Sequence, residues 1–151
     1  MNRAFALLLL LATPLAQAAL CEPVAHDLTF GAYSTGRSTP TDAVTTITLS
    51  CTADLGPETV NYSVAISPGL AGFYAPRRLA GAEGGLEYNL YADSARSVVL
   101  GDGTQGTVTL SSQLSLPGLG SRDLVVFGRI PAHQAVAPGH YSDLLSISVE
   151  F

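Results

Sequence analysis

The chain has 151 residues, of which 47% are hydrophobic and 13% are charged, and its net charge is −5. A chain this apolar is not intrinsically disordered, and its length suits a single domain with its own core. The negative charge argues against nucleic acid, or an anionic membrane surface, as a partner. The chain contains no lysine, which excludes Schiff-base and Ser–Lys chemistry.

Residues 1–18 have the pattern of a secretory signal peptide. Arg3 gives the start a positive charge, an apolar run covers residues 5–11, and the "AQA" that ends at Ala18 fits a cleavage site. The run is too short to anchor in a bilayer, and no later stretch reaches the roughly 20 apolar residues of a transmembrane helix. We therefore predict that residues 19–151 form one exported, soluble domain with no membrane span.

The two cysteines of the chain are Cys21 and Cys51. In an exported protein they most simply form one disulfide, which would stabilise the fold by roughly 3.5 kcal/mol if its geometry is unstrained. The competing interpretation makes Cys21 the lipid-bearing first residue of a lipoprotein. Such a site prefers glycine or alanine before the cysteine, whereas Leu20 stands there. The disulfide is therefore the prediction we keep.

Apolar residues repeat with period two, rather than 3.6, along the rest of the chain. In chain order, the segments with this pattern are "HDLTFGAY", "TTITLSC", "VNYSVAI", "LEYNLYA", "SVVL", "TVTL", "DLVVFGRI" and the closing "LLSISVEF". Loops rich in glycine and proline, such as "SPGLAG", "GDGTQG" and "PAHQAVAPGH", separate them. Short strands between such loops predict an all-β sandwich or barrel.

The closing segment, residues 144–151, places its apolar side chains on one face of a strand. These side chains are Leu145, Ile147, Val149 and Phe151. No turn and no returning strand follow in the sequence, so we expect the free edge and the apolar face of this strand to be completed by another protein.

The sequence gives little support for catalysis or metal binding. His133 and His140 lie in a stretch rich in proline and glycine, at a spacing that matches no compact zinc pattern. His140 and Asp143 fit a structural or solvated pair, because no nucleophile motif accompanies them. We predict no enzyme activity, no metal and no cofactor, and a small hydrolase built on His140 and Asp143 is the weakest alternative.

Two features of the stretch "SPGLAGFYAPRR" leave alternatives open. Arg77 and Arg78 fit an anion site, but a solvated pair at the start of a strand is the commoner arrangement. Leu70, Phe73 and Tyr74 are apolar residues in a surface connection. They therefore either fold back onto the core or form a surface-contact patch.

Taken in order, the segments resemble a known family. Their order and spacing are similar to those of the spore coat protein U domain. The resemblance begins with "LTFGAY", "ITLSC", "YSVAIS" and "YAPRRL". Its most specific parts are "YNLYAD" (88–93), "GRIPAHQ" (128–134) and "PGHYSD" (138–143). That family includes subunits of archaic, Csu-type chaperone–usher pili. The resemblance covers essentially the whole of residues 19–151.

The resemblance implies an immunoglobulin-like β-sandwich that lacks its last strand. It also implies three partners: a periplasmic pilus chaperone whose strand first fills the open groove, an outer-membrane usher, and neighbouring pilin subunits, one of which supplies the final donor strand. By the same resemblance, the chaperone recognises the C-terminal carboxylate together with Leu145, Ile147, Val149 and Phe151. The protein is then expected in the periplasm and later at the cell surface.

One departure from the family bears on the position in the fibre. Shaft subunits of this family carry a donor strand before their first cysteine, whereas only Ala19 and Leu20 stand between the predicted cleavage site and Cys21. A subunit that accepts a strand but offers none fits only the distal end, so we expect a tip or minor adhesive subunit whose 70–76 loop contacts a surface. The alternative is a stand-alone secreted coat or matrix protein, in which "TVTL" or "SVVL" fills the groove from within.

Overall fold

Eight β-strands form in residues 20–52, 58–116 and 119–151, the parts of the chain that the computed structural model describes. The predicted signal peptide, residues 1–18, lies outside these ranges. In chain order the strands are β1 (Leu20–Ala25), β2 (Thr41–Thr52), β3 (Glu58–Ile66), β4 (Arg77–Gly81), β5 (Gly84–Tyr91), β6 (Leu110–Leu116), β7 (Leu119–Ile130) and β8 (Ile147–Glu150). Within the same ranges there is no helix of the length and apolarity that crossing a membrane requires.

The strands are arranged in two sheets. One has five strands in the order β1-β2-β7-β5-β4, and the other has three in the order β6-β3-β8. Every pairing between these strands is antiparallel. The two sheets enclose one apolar core as an immunoglobulin-like β-sandwich, so the predicted all-β sandwich is confirmed.

Period-two alternation decides which side chains enter this core. In β2, for example, Ile47, Leu49 and Cys51 point between the sheets and are at most 2% exposed, while the residues between them face outward. The same alternation operates in β3, β5 and β7. Their buried apolar side chains are Val60, Tyr62, Val64, Ile66, Leu86, Tyr88, Leu90, Leu124, Val126 and Ile130.

Cys21 and Cys51 form the predicted disulfide. They lie directly opposite each other in the ladder between β1 and β2, and both are buried. The bond therefore fixes β1 to β2. The lipoprotein alternative requires a free thiol at Cys21, and in this structure that thiol is part of the disulfide.

The segment "HDLTFGAY" is not a strand, contrary to the prediction. It is an irregular connection between β1 and β2, in which Gly31 has a φ of +72°. Leu28 and Phe30 alternate because both side chains pack against the core. Burial without strand pairing thus produces the same period in the sequence as a strand does.

The segments "SVVL" and "TVTL" are also not the strands that the sequence predicts. They contribute the isolated bridges Tyr91↔Val99 and Leu100↔Val108, and only Leu110 of them belongs to a named strand. Neither segment pairs with β8. In the described structure they therefore do not complete the sheet from within.

Candidate functional site: the cleft beside the closing strand

Strand β8 forms one end of the three-stranded sheet. Its inner edge pairs with β3, where Ile147 lies opposite Ile66 and Val149 lies opposite Val64. Among the described residues, no strand pairs with its outer edge. The backbone of that edge is therefore open to a further strand.

The register shows which groups of β8 face this open edge. The Ser67 amide donates to the Ser146 carbonyl at 2.9 Å, so this pair bonds across the ladder. Bonded and non-bonded pairs alternate along antiparallel strands, and hence Ser148 also bonds to β3. The backbone N–H and C=O groups of Ile147 and Val149 consequently point away from β3, toward the open edge.

The inward face of the closing segment is only half covered. Leu145, Ile147 and Val149 pack against the core but remain partly exposed. Val64, which lies opposite Val149, is by contrast 0% exposed. Phe151, the last residue of the predicted groove set, is 54% exposed. The core covers only part of this apolar face. The exposed part can therefore pack against side chains of a further strand.

A cleft of about 1080 Å³ opens between the two sheets next to this face. The larger sheet lines it with side chains of β2, β4, β5 and β7, and the smaller sheet with side chains of β3 and β8. The structure places Leu145 and Ile147 in the lining of the cleft, whereas Val149 and Phe151 lie beyond it.

The 26–35 segment forms a second wall of the cleft. Leu28 and Phe30 pack over Gly128 of β7, where a Cβ atom would collide with both side chains. The rings of Phe30 and Tyr88 meet edge to face with their centroids 5.9 Å apart. The sequence shows that Leu28 and Phe30 are apolar, but not that a distant glycine makes room for them.

Tyr33 fastens the end of this wall. Its hydroxyl donates to the Pro131 carbonyl at 3.2 Å and accepts the Gln134 amide at 2.9 Å. The side chain of Gln134 in turn bonds to both backbone groups of Glu87 in β5. The wall is thus tied to the five-stranded sheet.

The chain reaches β8 by crossing from the larger sheet to the smaller one. Ser142 and Ala80 exchange two backbone hydrogen bonds, of 2.7 and 3.0 Å, at the edge of β4. The ring of Tyr141 packs on Gly81, where a Cβ atom would collide with it. The closing strand is shorter than the predicted 144–151 because its first residues make this crossing.

Asp143 lies within the crossing. Its carboxylate accepts the Tyr88 hydroxyl at 2.7 Å and the Leu70 amide at 2.8 Å. Burial, and after it the hydrogen bond to Asp143, raises the pKa of Tyr88, so the phenol stays protonated and donates. The Leu144 amide also donates to this carboxylate, at 2.9 Å. The carboxylate is thus engaged by these three groups rather than by His140, which is exposed.

Arg77 contradicts the prediction of a solvated pair, because its side chain is 0% exposed. The guanidinium donates to the carbonyl oxygens of Ser67 and Leu100 and to the side chain of Asn89, at 2.8 to 3.2 Å. It also lies 4.9 Å from the centroid of the Tyr74 ring. The arginine that follows it in sequence is exposed, as predicted.

The loop between β3 and β4 divides the predicted contact residues. Leu70 and Phe73 are 67% and 54% exposed. Tyr74 is 3% exposed and folds back onto the core beneath Arg77. The apolar surface of this loop therefore consists of Leu70 and Phe73.

The chemistry of the site is that of backbone hydrogen bonds and apolar side chains. In the ranges that the structure describes, no group of three or more His, Cys, Asp or Glu side chains could hold a metal ion. The open edge, the half-covered face and the cleft lie together. They define an immunoglobulin-like β-sandwich whose closing strand, among the described residues, has no neighbour on its outer edge.

The chain belongs to the Spore Coat Protein U domain family, which matches residues 6–148, and the resemblance in the sequence is thereby confirmed. A chain of the solved CsuC–CsuE chaperone–tip adhesion subunit pre-assembly complex, from the archaic chaperone-usher Csu pili of Acinetobacter baumannii, has a similar fold. Its TM-score is 0.56 at 20% identity, and the match covers 89% of this chain but only 40% of that chain. No curated protein matches this chain.

Proposed function

We propose that this chain is a non-enzymatic structural subunit of a chaperone–usher surface pilus, exported to the periplasm and assembled by donor-strand exchange. The observation that carries the proposal is the unpaired outer edge of β8 beside an open apolar cleft. The family of the chain, and its likeness in fold to a chain of a chaperone–subunit complex, support it. Its partners are then a periplasmic chaperone, an outer-membrane usher and neighbouring subunits.

A strand that enters the cleft is stabilised in two ways. Its backbone bonds to the open N–H and C=O groups of Ile147 and Val149. Its alternate side chains leave water for the apolar cleft, at about 1.5 to 3 kcal/mol for each one that is fully buried. Without such a strand, the open edge promotes aggregation. A chaperone that lends a strand therefore protects the subunit until a neighbouring subunit supplies its own.

Strand β1 supports a place at the end of the fibre. Leu20–Ala25 pair with β2, and the Cys21–Cys51 disulfide holds them there. This stretch is therefore part of the sandwich and is not free to act as a donor. We extend the proposal to a tip or minor adhesive subunit, cleaved after Ala18, in which the exposed Leu70 and Phe73 contact the surface that the fibre binds.

A stand-alone secreted coat or matrix protein is the second candidate. It is favoured by the second wall of the cleft, where Leu28 and Phe30 already cover part of the core. If this cover suffices, the protein needs no donor strand and is stable by itself.

Size-exclusion chromatography distinguishes the two candidate functions. The protein is exported to the periplasm with and without a co-expressed chaperone of the same pathway, and its elution is compared. A fibre subunit is recovered as a one-to-one complex with the chaperone and aggregates alone. A stable monomer without the chaperone contradicts the pilus proposal and favours the second candidate. The acceptor role is contradicted if the chaperone-bound protein fails to take up a donor peptide from a shaft subunit.

A further inference from the structure

Asp143 joins the cleft to the exposed loop between β3 and β4. One oxygen of its carboxylate accepts the hydroxyl of Tyr88, a residue that lines the cleft. The other oxygen accepts the amide of Leu70, whose side chain is exposed on the loop. A single side chain thus contacts both the proposed site of strand uptake and the loop that faces solvent.

The base of this loop is fixed separately. The Ser67 amide donates to the Ser146 carbonyl, and the Ser146 amide donates to the Ser67 hydroxyl, each at 2.9 Å. The Ser67 carbonyl also accepts two hydrogen bonds from the buried Arg77. At its other end the loop is held by the buried Tyr74, whose carbonyl accepts the Asn89 side chain at 2.7 Å. Asp143 holds the exposed stretch between these two ends, at the Leu70 amide.

Gly69 allows the loop to approach Asp143 closely. Its φ is +81°, and a Cβ atom at this position would collide with the Asp143 carboxylate. Glycine alone combines this backbone conformation with this approach at little cost. The path of the loop consequently depends on where the carboxylate lies.

We propose that Asp143 is a positioning residue that couples strand uptake in the cleft to the ordering of the loop between β3 and β4. This inference rests on the proposed function. An incoming strand removes water from the cleft and lowers the local dielectric around Tyr88 and Asp143. Hydrogen bonds to a carboxylate become stronger in such surroundings. The carboxylate then binds the Leu70 amide more tightly, so the loop becomes ordered in its exposed position when the subunit is assembled.

Amide hydrogen exchange tests this coupling. The exported protein is tethered at low density through an N-terminal tag, which keeps empty subunits apart. It is measured before and after uptake of a synthetic peptide that carries valine and leucine at alternate positions. We expect exchange at the Leu70 amide to slow roughly tenfold when the peptide binds.

The Val98 amide is the matched control. It donates at 2.8 Å to the carboxylate of Asp93 in another exposed loop, and neither residue lines the cleft. Its exchange should not change on peptide binding. If Leu70 and Val98 slow by the same factor, the effect is a general stabilisation and the proposed coupling is wrong.

Asp143→Asn separates coupling from simple support of the fold. Asparagine keeps an acceptor for the Leu70 amide, and its amino group can donate to the Tyr88 oxygen, but charge assistance is lost. We expect the peptide to bind and the slowing at Leu70 to fall to about threefold or less. Tyr88→Phe keeps the carboxylate but removes the hydroxyl that ties it to the cleft. At a peptide concentration that saturates this variant, the slowing at Leu70 should again be reduced, and the variant replaces the asparagine variant if that one does not fold.

The outcomes distinguish this inference from the proposed function. If the peptide binds the unmodified protein and exchange at Leu70 does not change, the coupling is wrong while the acceptor function stands. Full slowing in both variants also contradicts the coupling. If the peptide does not bind at all, the proposed function fails and the inference fails with it.

Discussion

Arg77, at the start of β4, is a charged side chain in the core, and no carboxylate of the described residues is hydrogen-bonded to it. Its guanidinium makes hydrogen bonds to two backbone carbonyls and one amide side chain, and it stacks on an aromatic ring. Hydrogen bonds of charged groups contribute about 1.5 to 3 kcal/mol each, and a buried acceptor left without its donor costs a similar amount. The residue therefore joins β4, β5 and two loops at one point.

Arg77→Met should lower the free energy of unfolding by at least about 3 kcal/mol, because the carbonyls of Ser67 and Leu100 lose their donor inside the core. Arg78→Met is the matched control. Arg78 is exposed and pairs with Glu87 at 3.0 Å, so its loss should cost less than about 1 kcal/mol. Urea unfolding measures both, and equal losses would show that the buried hydrogen bonds contribute little.

Asp42 lies in a cluster of charges on the outer face of the larger sheet. Arg129 donates to both of its carboxylate oxygens, at 2.7 and 2.8 Å, and Arg96 lies 3.4 Å away. The hydrogen bonds from Arg129, and the charges of both arginines, hold the pKa of Asp42 below its usual value. The stabilisation that follows is present above the unfolded-state pKa of about 4 and is lost as the pH falls through the lowered pKa.

Asp42→Asn should therefore lower the melting temperature at neutral pH, by an amount that corresponds to no more than about 1 kcal/mol, because the pair is partly exposed. The difference from the unmodified protein should shrink below about pH 4 and disappear once Asp42 is protonated. Thermal unfolding over a pH series measures it. A difference that persists unchanged at acid pH contradicts this account.

Among the elements, β8 has two edges with opposite roles. The amide of Ser148 bonds to β3, whereas the amide of Val149 points to the open edge. Proline removes one N–H group and is tolerated on an edge strand where that group faces outward. The two neighbouring residues therefore allow the two edges to be changed separately.

Val149→Pro should still fold, with a loss of stability limited to the packing of the partly buried valine. It should fail to bind the chaperone or a donor peptide, because a hydrogen bond to the incoming strand is blocked. Ser148→Pro, the control, should lower the melting temperature because it removes a hydrogen bond to β3. Thermal unfolding and size-exclusion chromatography with the chaperone measure the two effects. Undiminished binding by the Val149→Pro variant would mean that the incoming strand does not pair with this edge.

Period-two alternation predicts β2, β3, β5, β7 and the closing strand because each has one face on the core. It misses β1, in which Cys21 is the only buried residue, and β6, whose exposed side chains are mostly serine and glutamine. In these strands, pairing with a neighbour replaces burial as the cause of the structure. Alternation detects burial, and it therefore finds strands only where burial and pairing coincide.

The candidate site is predictable from the sequence only in part. The apolar face of the closing segment follows from its own four residues, and the structure places Leu145 and Ile147 in the cleft. The second wall and the contacts of Asp143 do not follow from local pattern. They depend on Gly128 and Gly69, which make room for side chains that lie far away in the sequence.

For the whole molecule, we expect the exported protein to begin at Ala19 and to contain the Cys21–Cys51 disulfide. Its intact mass should equal that of residues 19–151 less two hydrogen atoms. Replacing both cysteines by serine should cost roughly 3.5 kcal/mol and reduce the yield of exported protein. A mass that still includes residues 1–18 would contradict the predicted cleavage, and a fully reduced mass would contradict the bond.

The crossing from Ser142 to Ser146 limits how far the two sheets can separate at the cleft. Ser142 is bonded to β4 and Ser146 to β3, so only a few residues span the gap between the sheets. Four residues of extended chain reach about 14 Å, and packed sheets normally lie about 10 Å apart. A helix with its side chains is itself about 10 to 12 Å across, so a helix between the sheets would require about twice the normal separation. The short crossing therefore limits the distance between the two sheets. An extended segment fits the cleft, and a helix is too wide to enter.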